Sequence, residues 1–111
     1  YEIPLRLVGS EMCIRDSPGS ELYKAILKLD SVEECYDFFA DLCTVPELKA
    51  MEQRFEVAKL LNDGLIYNDI LEKTGASSAT ISRVNRSLNY GTGAYREIFA
   101  RLKDEDAEET P

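Results

Sequence analysis

Between residues 77 and 88 the chain gathers hydroxyl and guanidinium groups at helical spacing. Ser77, Ser78, Thr80 and Ser82 supply short hydroxyls, Ala79 a methyl group, and Arg83 and Arg86 two fixed cations, with no acid among them. Chemistry of this kind suits a polyanion with readable edges. Short side chains let a helix backbone approach the floor of a DNA major groove. Hydroxyls bond to phosphate or base, a methyl can meet thymine, and a guanidinium pairs with phosphate. Ser77, Ser78, Ala79, Thr80 and Ser82 are therefore expected near bases, and Arg83 and Arg86 on phosphates. Asn68, beside Tyr67 at the head of a preceding short helix, is placed to donate to a phosphate as well.

Other chemistries lack their residues. The chain has no histidine, which removes the commonest general base and the commonest zinc ligand together. Glu33 and Glu34 are adjacent carboxylates on one solvated helix turn, which is no acid–base arrangement. The expectation is a protein that is not an enzyme and holds no metal. Of Cys13, Cys35 and Cys43, the last two are expected to be plain core thiols, and Cys13 falls in the segment 1–17, which is set apart from the fold. The last two are eight apart, about 12 Å along a helix and too far to bridge. Unbridged thiols fit a reducing cytoplasm.

A reading helix of this kind needs elements to hold it out. Two helices can cross steeply through a short turn only where one turn residue is free to take a positive φ and the inward positions stay apolar. Gly75 meets the first condition. Counting from it, Ile70 lies five before, Ala76 follows, and Ile81 and Val84 come six and nine later, which places all four where two crossing helices and a supporting one must touch. The unit is a helix-turn-helix over residues 67–88, with Leu71 implying a slightly wide crossing.

The rest of the chain reads as short amphipathic helices. Leu22, Ile26 and Leu29 form one stripe over residues 21–29. Ser31 with Glu34 is a capping box for a helix over 32–43 that buries Tyr36, Phe39 and Cys43. Thr44 with Glu47 repeats the device, with Pro46 tolerated in the first turn. That helix, 45–61, turns Leu48, Met51, Phe55, Ala58 and Leu61 inward. A last helix over 94–103 carries Tyr95, Ile98, Phe99 and Leu102. The stretch 104–111 holds five acids and no base and is expected to be a disordered tail. Residues 7–17 show no helical or strand period and match, codon for codon, a translated sequencing adapter; residues 1–3 match its flow-cell anchor and 4–6 fall where an index barcode sits, so 1–17 are set apart from the fold as adapter-derived.

At 111 residues there is room for one domain, here 18–103. No apolar run approaches the roughly 20 residues a membrane span needs. The formal net charge of −8 looks unfavourable for DNA, but it is peripheral: 18–103 holds 13 acids against 11 bases, and the reading segment itself is cationic. The other reading of such a chain is a helical protein-interaction module, using its acidic tail and apolar helices, without specific DNA binding.

Residues 31–102 resemble the tryptophan repressor superfamily. Gln53-Arg54-Phe55-Glu56-Val57-Ala58 together with Thr74-Gly75-Ala76-Ser77-Ser78-Ala79-Thr80-Ile81-Ser82-Arg83-Val84 are similar to its YerC/YecD-type branch. The resemblance implies an all-α fold of six short helices forming an intertwined homodimer, with two reading heads set for successive major grooves of double-stranded DNA and a repressor-like action. Phe38, Phe39, Phe55, Tyr95 and Phe99 give more apolar area than a flat monomer would cover, which agrees with a dimer. The resemblance also implies a site for a small amino-acid-like co-repressor at Thr44, Arg54, Arg83 and Ser87, where guanidinium groups can pair a carboxylate. The glycine that tryptophan-binding relatives carry after the recognition-helix arginine is Val84 here, which takes up space an indole would need.

Overall fold

A computed structural model describes residues 19–109, with side-chain surroundings through residue 105. Residues 1–17 lie outside the described residues. The described chain is all helical: α1 (Ser20–Ile26), α2 (Val32–Leu42), α3 (Val45–Asn62), α4 (Tyr67–Thr74), α5 (Ser78–Tyr90) and α6 (Ala94–Glu109). Among the described residues no helix is long and apolar enough to cross a membrane. The helices fall into two compact units, α1 and α2 in one and α3 to α6 in the other, divided between Cys43 and Thr44.

In the first unit, Ser31 caps α2 by accepting the Glu34 N–H at 3.1 Å. The Glu34 carboxylate accepts from Asp30 N–H at 2.8 Å, one residue earlier than a reciprocal box requires. No residue of α2 is buried. Tyr36 and Cys35 are exposed, while Phe39 and Cys43 are half-buried. The expectation of a buried α2 face with core thiols is thus corrected. The seven-residue α1 does not pack closely along the 11-residue α2, so within this unit that face has no cover.

The second unit begins on a complete capping box. Thr44 Oγ1 accepts the Glu47 N–H at 3.3 Å and Glu47 Oε1 accepts the Thr44 N–H at 2.8 Å. The Thr44 main-chain N–H, and after it the Thr44 side chain, hold the Glu47 carboxyl below its ordinary range. From this start α3 packs against α4, α5 and α6. The core is Val57, Ala58, Ile70, Ala76, Ile81, Val84, Leu88 and Phe99, with Leu60, Leu61, Leu65, Leu71 and Tyr95 packed on it. Each large aliphatic side chain so buried contributes about 1.5–3 kcal/mol.

Two details depart from the apolar periods. The α3 stripe that α4 and α5 bury is centred on Val57 and Ala58, whereas Phe55 stays 40% exposed. Phe55 instead meets Phe99 and Tyr95 of α6, at ring centroid distances of 5.2 and 6.4 Å. Helix α6 runs to Glu109, beyond the expected helix end at Lys103. No glycine or proline interrupts it, and Ala and Glu are strong helix formers.

Candidate nucleic-acid interface

The site is built around one turn. Helix α4 ends on Gly75, which takes a left-handed conformation at φ 72° and donates its N–H to the Leu71 carbonyl at 2.9 Å. Thr74 tightens the same turn from its side chain. Its Oγ1 donates to the Ile70 carbonyl at 2.7 Å and accepts from Ala76 N–H at 3.1 Å. Ser77 then opens α5. Its Oγ accepts the Thr80 N–H at 3.1 Å and donates to Thr80 Oγ1 at 3.1 Å.

The four positions counted from Gly75 behave as expected. Ile70, Ala76, Ile81 and Val84 are all buried, and Leu71 packs on the same core. With Leu88 they seat α5 by one face. The opposite face is open: Ser77, Ser78, Ala79, Ser82, Arg83 and Arg86 are exposed, and Thr80 is half-buried. Among the described residues, the ion pairs join Glu21 to Lys24 and Glu97 to Arg101 and engage neither Arg83 nor Arg86. Asn68 is exposed in the first turn of α4, a helix whose N-cap, Ile66, has no side chain that can cap it.

The four residues assigned to a co-repressor are all exposed. Ser87 lines an open cleft of about 460 Å³ with Phe55, Tyr95, Ile98 and residues 91–94. No charged residue lines that cleft, so it offers little to a carboxylate or an ammonium group. Neither Thr44, Arg54 nor Arg83 lines it or the second described cavity, formed by Lys59, Asn62, Asp63, Phe99, Leu102 and Lys103. Thr44 Oγ1 already accepts the Glu47 N–H in the cap. Val84 lies in the core and faces no described cavity.

Sequence reasoning missed two sets of supporting residues. Gln53 donates to the Thr74 carbonyl, and Arg96 ties Asn62 to Asn89. These contacts join positions far apart in the chain, and no local spacing announces them.

Residues 20–103 match the Trp repressor protein family. The chain is 47% identical over 95 residues to the uncharacterized protein YerC of Bacillus subtilis (strain 168), covering 86% of this chain and 91% of YerC. Its structure resembles a TrpR-like protein from Eubacterium eligens ATCC 27750 with a TM-score of 0.77 and 53% identity, over 80% of this chain and 93% of that one. It also resembles a candidate Trp repressor from Staphylococcus aureus, with a TM-score of 0.75 and 45% identity over 90% of this chain and 93% of that one. With this match across its helices, the chain belongs to the Trp repressor protein family, a family of DNA-binding regulators rather than enzymes.

Proposed function

We propose that this chain is a homodimeric, sequence-specific transcriptional regulator, repressor-like in action, that lays α5 in the major groove of duplex DNA. The observation that carries the reading is the division of α5 into two faces. Ile81, Val84 and Leu88 anchor one face, and the other presents small hydroxylic residues and two arginines free of ion pairs among the described residues. Ser78, Ala79 and Ser82 are short enough to let the backbone near base edges. Ser77 and Thr80 hydrogen-bond each other, so their part is to fix the start of the helix beside those bases. Arg83 and Arg86 reach phosphates. The first turn of α5 carries no acid, which leaves its positive dipole end to a phosphate. Asn68 and the uncapped N–H groups of α4 supply a second phosphate contact.

Dimerisation follows from what each unit leaves uncovered. In the first unit, Val32, Tyr36 and Leu42 are exposed; in the second, Phe55, Ile98 and Leu102 are exposed. A second copy would cover such surfaces by the same residues on both sides, as twofold assemblies do.

Selection of binders from a pool of random duplexes tests the reading. The expected outcome is an enriched inverted repeat with half-sites about one helical turn apart. A pool in which nothing is enriched would refute it. A helical protein-interaction module would instead keep its function when Arg83 and Arg86 are both replaced by alanine.

A further inference from the structure

One guanidinium joins the far ends of two helices. Arg96, in the first turns of α6, donates from Nη1 to Asn62 Oδ1 at 2.7 Å and from Nη2 to Asn89 Oδ1 at 2.8 Å. Asn62 is the last residue of α3, and Asn89 lies in the last turn of α5. The tie continues inward along α5, because Asn89 Nδ2 donates to both the carbonyl and the Oδ1 of Asn85 at 3.0 Å.

This arrangement suits arginine in particular. Helix C-termini end in carbonyls without intrahelical partners and carry the negative end of the dipole, so a cation is favourable there. Helix α5 has no basic residue in its own last turn. The cation it needs comes from α6. A planar guanidinium can satisfy two acceptors at a fixed angle, whereas an ammonium acts as a point charge and cannot hold the same fork.

The apolar anchors of α5 leave something for this fork to do. Burial of Ile81, Val84 and Leu88 sets how deeply the helix sits, but the hydrophobic effect is non-directional. Rotation about the helix axis and sliding along it are better resisted by directional bonds. Arg96 supplies these from a different helix, and through Asn62 it references them to α3.

We propose that Arg96 is a positioning residue that fixes the rotation and axial register of α5, and with them the sequence selectivity of DNA binding. The proposal rests on the reading of α5 as the helix that enters the groove. Base-edge hydrogen bonds weaken steeply with distance and angle, so a small pivot of α5 costs selectivity. Phosphate contacts made by long arginine side chains adapt to the same pivot and carry no sequence information.

The test compares the full chain with its variants on two duplexes of equal length, one selected by the wild type and one with shuffled sequence, across a salt series. Arg96→Ala is expected to bind the selected duplex about tenfold more weakly, with binding to the shuffled duplex and the salt slope unchanged. Arg96→Lys keeps the charge and is expected to lose as much. Asn62→Ala alters neither α5 nor α6 and is expected to reproduce the loss, with no further loss when combined with Arg96→Ala. Unchanged selectivity in Arg96→Ala overturns the proposal. So does full rescue by lysine, or a silent Asn62→Ala. Equal weakening on both duplexes points to general destabilisation and overturns it too, as does a salt slope lower by about one, the mark of a lost phosphate contact. Failure of the underlying reading looks different: the wild type itself then prefers neither duplex, and the proposal falls with it.

Discussion

The side-chain amide of Gln53, midway along α3, donates to the main-chain carbonyl of Thr74, the last residue of α4, at 3.3 Å. A helix's final carbonyls have no partner within the helix, so this bond lets the supporting helix hold the turn of the reading unit. Gln53→Ala should lower stability by about 1 kcal/mol, measured as a shift in the urea midpoint with the slope unchanged. Amide exchange at Ala76 should rise with it.

Gly75 and Gly91 should respond differently to the same substitutions. A Cβ at Gly75 meets nothing within 4 Å, and only its φ of +72° is costly. Gly75→Ala should therefore cost about 1–2 kcal/mol, and Gly75→Asn less, because Asn tolerates the left-handed region better. A Cβ at Gly91 would collide with the Ser87 carbonyl. There Asn should be no better than Ala, which thermal unfolding of the four variants would check.

Neighbouring residues on α5 should separate folding from binding. Ile81 is fully buried, and Ile81→Ala should cost about 2–5 kcal/mol through the cavity it leaves. Ser82 is exposed, and Ser82→Ala should stay within about 0.5 kcal/mol of the wild type while weakening binding to a selected duplex. Equilibrium unfolding and DNA titration on the same samples give both readings.

How much of this was legible in the sequence depended on distance along the chain. Ile70, Ala76, Ile81 and Val84 could be placed by counting from Gly75, because the turn fixes them locally. The caps at Ser31 and Thr44 are legible for the same reason. Val57 was missed, because the buried face of α3 is chosen by which helices pack on it and not by its own period. The ties from Gln53 to Thr74 and from Arg96 to Asn62 and Asn89 were missed because they span helices. The apolar residues of α2 predict a buried face, yet a stripe of that kind says only that cover is needed. The supply of that cover is not written in the helix itself.

Acid should weaken the start of α3 in a predictable sense. The Glu47 carboxyl lies below its ordinary range because it accepts the Thr44 N–H. A lowered folded-state pKa gives stability that is present above the ordinary carboxylate range and lost as pH falls through the folded value. The stability gap between the wild type and Glu47→Gln should therefore be largest near neutral pH and shrink toward about pH 3. Urea midpoints at both pH values measure it.

Whether the open face of α5 meets the DNA backbone is read from the salt dependence of binding. For the wild type, log K should fall linearly with log salt, and replacing Arg83 and Arg86 together by alanine should reduce that slope by about two. A slope unchanged by the double substitution, or wild-type binding indifferent to salt, would contradict that contact.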